Sequence, residues 1–197
     1  MASPAPLFGA DVPDGFQYRQ EFITPAEETA LAAHIGQTQF STFEMRGVVA
    51  RRRVAFFGRS YDAGRAAASP MPAFLDSLRT RIAEWAGVEP AAFAMALINE
   101  YAPGAPIGWH RDAPQYEMVV GVSMLSPARM KFRPYVRPAA RGTAQVKRTA
   151  SHEILLEPRS AYLMAGESRN AYEHHIPAVD RLRYSITFRT VRENQKP

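Results

Sequence analysis

The chain has 197 residues, of which 46% are apolar, 11% aromatic and 22% charged, a length and composition that predict one globular domain with a real core and exclude global disorder. It contains no cysteine, which excludes disulfides, thiolate metal sites and a cysteine nucleophile, so any metal must be held by His, Asp or Glu. With 24 Lys and Arg against 19 Asp and Glu the net charge is +5, a bias toward an anionic partner.

No apolar run reaches the roughly 18 to 20 residues of a membrane helix, and the first segment lacks a basic start and an apolar stretch. The expectation is a cytoplasmic monomer with no membrane partner. Residues 1–20 read as an N-terminal arm. At Thr24-Pro25-Ala26-Glu27 the sequence carries a capping box with Pro at the first helical position, which predicts a helix from Pro25 to Ile35 ending near Gly36. Between Arg46 and Arg59 lie five arginines and no acid, beside Phe56, Phe57 and Tyr61. Cations for phosphates next to rings for stacking suggest a single-strand nucleic-acid groove. A second helix is predicted after Ser69-Pro70, where Phe74, Leu78, Ile82 and Trp85 recur at helical spacing and Gly87 supplies a stop.

From Ala94 onward, short runs rich in β-formers alternate with Pro and Gly: AMALINEY, EMVVGVSML, ARMKFR, HEILLE, SAYLMA and RYSITFRTV. They predict a jelly-roll sandwich or open barrel, mostly β with flanking helices, the two helices packing on one face. A second acid-free stretch, Arg129 to Arg148, holds seven basic residues and Tyr135. Segment 134–151 reads as a long basic loop.

Candidate chemistry begins at Trp109-His110-Arg111-Asp112. In an extended segment residues two apart share a side, so His110 and Asp112 can converge on one point. A third ligand is available at His174 or His175, 62 or 63 positions beyond Asp112 (174 − 112 and 175 − 112). Two His and one carboxylate form the facial triad of a non-haem Fe(II) site. In RYSITFR the alternation puts Arg183, Ser185, Thr187 and Arg189 on one side, and inward arginines call for an anion such as a dicarboxylate.

With these motifs in place, the chain resembles the AlkB-like family of Fe(II)- and 2-oxoglutarate-dependent dioxygenases from about Arg51 to Arg192. The resemblance rests on Asn99-Glu100-Tyr101, His110-Arg111-Asp112, Gly166-Glu167-Ser168-Arg169, His174-His175-Ile176-Pro177 and RYSITFR. It implies a double-stranded β-helix (jelly-roll) core in a single domain over residues 21–192, with a nucleotide-recognition lid around 43–66 and a tail at 193–197. It implies that His110, Asp112 and His174 hold the iron, since Ile176 then falls two places after the distal His. Arg189 would meet the distal carboxylate of 2-oxoglutarate and Arg183 its iron-bound end, with Asn99 and Tyr101 as further cosubstrate contacts. Ser185 stands where some members carry Asn, and Ala113-Pro114 replaces an acid of well-known repair members.

The implied activity consumes O2 and 2-oxoglutarate and demethylates bases such as 1-methyladenine or 3-methylcytosine in DNA or RNA, releasing formaldehyde and succinate. The base would be reached in a single strand or after flipping. Arg51, Arg52 and Arg53 would hold phosphates, and Phe57 or Tyr61 would stack on the base. The alternatives are the same chemistry on a protein or small molecule, or a catalytically weak nucleic-acid-binding module.

Overall fold

A computed structural model describes residues 12–45, 48–59, 69–136 and 152–192. The order of elements is β1 (Phe16–Arg19), α1 (Pro25–Gly36), β2 (Ser41–Met45), β3 (Val48–Gly58), α2 (Asp76–Ala86), β4 (Phe93–Tyr101), β5 (Ile107–His110), β6 (Tyr116–Met124), β7 (Ala128–Pro134), β8 (His152–Leu156), β9 (Ala161–Met164), α3 (Gly166–Asn170), β10 (Tyr172–Ile176) and β11 (Arg183–Val191). A seven-stranded sheet in the order β1-β9-β6-β11-β4-β3-β2 faces a four-stranded sheet in the order β5-β10-β7-β8. This is the expected jelly-roll.

Both long helices form where their signals lie. Thr24 accepts from the Glu27 amide while the Glu27 side chain accepts from the Thr24 amide, the reciprocal capping box, and Arg81 of α2 reaches across to the same carboxylate. Gly87 ends α2 in the left-handed conformation, φ 68°, which costs glycine nothing. The two helices cover the outer face of the large sheet. Leu31, Ile35, Leu78 and Ile82 pack there against Ala96 and Ile98 of β4, Val120 and Val122 of β6, and Ile186 and Phe188 of β11. Pleating sends the alternate residues of the same strands inward, between the sheets. Met130, Phe132, Leu156, Tyr162 and Ile176 make a second core in that space.

The structure bears on three expectations here. Residues 16–19, read as arm, pair with β9 as an edge strand. The described part of the expected lid at 43–66 includes β2 and β3, a hairpin of which β3 pairs with β4 from Arg53 to Gly58. Its run of arginines and rings disguised an ordinary strand alternation. Finally, Arg51, Arg52 and Arg53 do not share a side, because neighbours on a strand face opposite ways. Arg52, Val54 and Phe56 line the space between the sheets, whereas Phe57 packs with the helix-side core. Tyr61, the rest of the lid and most of the basic loop lie outside the described residues.

Phe57 is thus part of the fold, not a stacking platform. Phe57→Ala should cost stability toward the lower end of the about 3–5 kcal/mol typical of Phe→Ala, whereas Phe56→Ala should change ligand binding more than stability. Chemical denaturation of both variants checks this; a Phe57→Ala protein as stable as wild type would contradict it.

Candidate metal centre

Two facing strands and the segment that follows one of them build the centre. His110 closes β5 and lies directly opposite His174 on β10, so the pairing register itself brings the two imidazoles together, 4.2 Å between ring centroids. Asp112 follows on the turn leading into β6. One ligand atom from each of His110, Asp112 and His174 can be chosen so that all lie within 4.8 Å of one another. His175, the alternative, points the other way: its Nδ1 lies 2.7 Å from the Ile107 carbonyl and its ring packs on Trp109. The two-residue period of β10 makes the choice.

The donor set suits a divalent transition metal. His110 Nδ1 sits 2.9 Å from the Gly108 carbonyl, a contact that fixes the ring and leaves Nε2 for a ligand. Burial depresses both imidazoles, His174 to about 3 with His110 adding to the effect and Asp112 opposing it. They are neutral at pH 7, as ligands must be. Burial works to raise the Asp112 carboxyl, but Arg189, His174, His110 and Arg169 together outweigh it and hold the group below the usual carboxylate range. The result is one anionic and two neutral ligands on a single side, which is the facial arrangement.

The cavity beside these ligands has a volume of about 230 Å³ and is lined by residues of both sheets. β11 contributes Ser185, Thr187 and Arg189, and β4 contributes Met95, Leu97, Asn99 and Tyr101. Asn99 and Tyr101 therefore both face the cavity. Arg189 does not meet a vacant anion position. Its Nε and Nη2 donate to one oxygen of Asp112 at 3.1 and 2.8 Å, and its Nη1 donates to Thr187 at 3.0 Å. Arg183 is the opposite case: it is fully buried, donates from Nε to Ser123 at 3.1 Å, stacks over Tyr101, and leaves Nη1 and Nη2 without an acceptor among the described residues. A buried guanidinium with two idle donors fits a carboxylate that arrives from outside.

The expected phosphate contacts are mostly spoken for. Arg52 turns into the cavity and donates to Asn99 Oδ1. Arg53 makes a bidentate pair with Glu100. In the second basic run, Arg129 and Lys131 pair with Glu153, and Arg133 with Glu173. The absence of acids along a stretch of sequence does not carry over to space, because β8 and β10 supply them. Arg51 is exposed, and at the cavity mouth Arg59 and Arg111 are exposed as well; Arg111 lies over the Tyr135 ring at 3.5 Å.

Several residues of the site escaped the sequence reading. Phe56 was passed over in favour of Phe57 for want of the strand's phase. Tyr162 crosses β6 at Gly121, where an added Cβ would meet its ring at 2.3 Å, so the glycine makes room for one wall of the cavity. A Gly in the middle of an apolar strand was the available signal. Arg169 was seen as a motif residue but given no task.

Comparisons with known proteins agree with this geometry. The family model of the 2OG-Fe(II) oxygenase superfamily matches residues 17–189. The chain belongs to that superfamily. Members of the superfamily are dioxygenases that use Fe(II), 2-oxoglutarate and O2, and the His110, Asp112 and His174 cluster provides the donors. Among curated proteins the chain is similar to the alkylated DNA repair protein ALKBH8 homolog of Arabidopsis thaliana, 24% identical over 87% of this chain, and it spans only about half (54%) of that relative. Among solved structures it resembles OsALKBH1, with a TM-score of 0.67 and 14% identity over 89% of this chain and 98% of that one. A prolyl-4-hydroxylase from Pseudomonas putida also superposes, with a TM-score of 0.58 and 13% identity over 90% of this chain and 93% of that one. Together these make the chain an AlkB-like member with the oxygenase jelly-roll.

The depressed imidazoles set a pH dependence. His174 binds its proton near 6.5 when unfolded and near 3 when folded, so unfolding takes up a proton between those values and stability falls as pH drops through that window. Metal-free protein should be less stable to denaturant at pH 5 than at pH 7.5, and His174→Asn should flatten the difference. Equal slopes for the two proteins would contradict the assignment.

Proposed function

We propose that the protein is an oxidative demethylase of N-methylated bases in DNA or RNA. The observation that carries this is the cavity mouth, where Arg59 and Arg111, the latter stacked on Tyr135, stand beside a cavity walled by Phe56, Tyr116 and His110. Such a rim suits a polyanion that presents one flat group at a time. The name of the Arabidopsis relative, an alkylated DNA repair protein, supports the same reading.

His110, Asp112 and His174 would hold the metal. When bound, Fe(II) supplies, with O2 and 2-oxoglutarate, the insertion of one oxygen atom into a C–H bond and of the other into succinate with loss of CO2. The residues of this chain do the rest. The idle Nη1 and Nη2 of Arg183 would take the distal carboxylate of 2-oxoglutarate, with Tyr101 and Tyr162 closing that end against water. Arg189, held on Asp112, would keep that carboxylate ionised and turned toward the metal. The roles first given to the two arginines are thereby exchanged. Asn99 steadies Arg52 within the cavity. The apolar residues Val54, Met95 and Leu97 exclude water around the methyl group. The N-hydroxymethyl product then separates into formaldehyde and the unmodified base.

The test is formaldehyde release from single-stranded DNA, duplex DNA, RNA and a methylated peptide, each carrying 1-methyladenine, 3-methylcytosine or methyl-lysine as appropriate. A nucleic acid should be the substrate, and release only from the peptide would contradict the reading. Binding to a single strand should weaken with salt. Replacing Arg51 and Arg111 by Ala should flatten that dependence by about 0.7 log units per lost phosphate contact, whereas Arg129→Ala, on the far face of the small sheet, should leave it unchanged.

A further inference from the structure

Asp112 is followed by a turn whose first residues, Ala113 and Pro114, are exposed, and which is buried only where it enters β6 at Tyr116. What fixes a metal-ligating carboxylate beside such a turn must be hydrogen bonding, and the carbonyls of this turn are taken by two arginines from other parts of the chain. Arg169 of α3, only 4% exposed, donates from Nη2 to the carbonyls of both Ala113 and Tyr116, at 2.6 and 3.1 Å. Arg192, just after β11, donates from Nε to the Pro114 carbonyl at 2.8 Å, and its amide donates to the Gln115 carbonyl at 3.0 Å. Asn170, next to Arg169 in the chain, accepts from Arg192 through its side-chain oxygen and from Arg111 through its carbonyl. Every carbonyl from 113 to 116 thus has a donor from this set.

The charge of Arg169 is the less expected part. It is buried among other cations: Arg192, Arg189 and Arg111 all act on it unfavourably, and Asp112 is the group that favours its charge. Among the described residues it has no carboxylate in hydrogen-bond contact, and its Nε has no acceptor. A buried guanidinium bonded only to carbonyls is costly. Its position beside the Asp112 turn is the compensation the structure offers.

We infer that Arg169, seconded by Arg192, is a positioning residue that holds the Asp112 turn so that its carboxylate is presented to the metal, and so sets the affinity of the site. This rests on Asp112 being a metal ligand and is independent of the substrate. Arg169 touches neither metal nor substrate; it acts through the turn and through its field. The outer-shell partners of metal ligands typically contribute a factor of 10–100 in affinity.

The test is Co(II) affinity of the metal-free protein, read by visible absorption without turnover, beside its thermal midpoint. Arg169→Met should weaken Co(II) binding by about 10-fold or more. Arg169→Lys should stay close to wild type, since a single Nζ can donate to both carbonyls that one Nη now serves. Arg81→Met, which breaks the α1 to α2 ion pair with Glu27 far from the site, should lower the midpoint and leave Co(II) affinity unchanged. If Arg169→Met does not fold, Arg192→Met carries the test, with a smaller loss of affinity expected. Wild-type Co(II) affinity in the folded Met variant, or a loss matched by Arg81→Met, would overturn the inference. A wild-type protein without a Co(II) site would remove the metal reading along with it.

Discussion

The ion pair between Arg189 and Asp112 joins the two sheets at the point where the chemistry is placed. Asp112 belongs to the turn between β5 of the small sheet and β6 of the large one, and Arg189 rises from the middle of the large sheet. Both side chains are nearly buried, with 9% and 8% of their surfaces exposed. Neither charge is tolerable there alone, and removing one partner of such a pair typically costs about 3–5 kcal/mol. Because Asp112 is spent on Arg189 through one oxygen, its second oxygen faces His174, 3.7 Å away. The same pair therefore stabilises the sandwich and orients the ligand.

From that constraint the site is assembled by strand periodicity. On β11 the inward set Arg183, Ser185, Thr187 and Arg189 alternates with Tyr184, Ile186 and Phe188, which face the helices. The inward arginines sit six residues apart: Arg189 lies against the metal-ligating Asp112, and Arg183 lies over the Tyr101 ring. On β10 the same alternation turns His174 inward and His175 outward. The long helices α1 and α2 add no chemistry. They seal the outer face of the large sheet, which lets its inner face carry so many polar groups.

Much of this was legible from local signals. The capping box, the glycine stop of the second helix and the inward face of RYSITFR each follow from a few adjacent residues, and the structure bears them out. The metal ligands were legible in composition and order, while the choice between His174 and His175 needed the resemblance and is explained by the register of β10 against β5. What was missed depends on contacts distant in sequence. The basic runs looked uncompensated because Glu100, Glu153 and Glu173 come from neighbouring strands. Phe57 was taken for a ligand contact because three successive arginines and two rings hid the pleat of β3. Arg169 had no visible task, since the carbonyls it holds lie more than fifty residues earlier in the chain.

The central claim is that His110, Asp112 and His174 bind Fe(II) beside a 2-oxoglutarate site anchored by Arg183. The most direct measurement is an anaerobic titration of the metal-free protein with Fe(II) and then 2-oxoglutarate, followed by the visible charge-transfer absorption of the chelated complex. Wild type and His175→Ala should develop the band at one equivalent of each, His174→Ala should not, and Arg183→Met should bind the metal yet require far more 2-oxoglutarate. A full band in His174→Ala, or a normal 2-oxoglutarate requirement in Arg183→Met, would contradict the account.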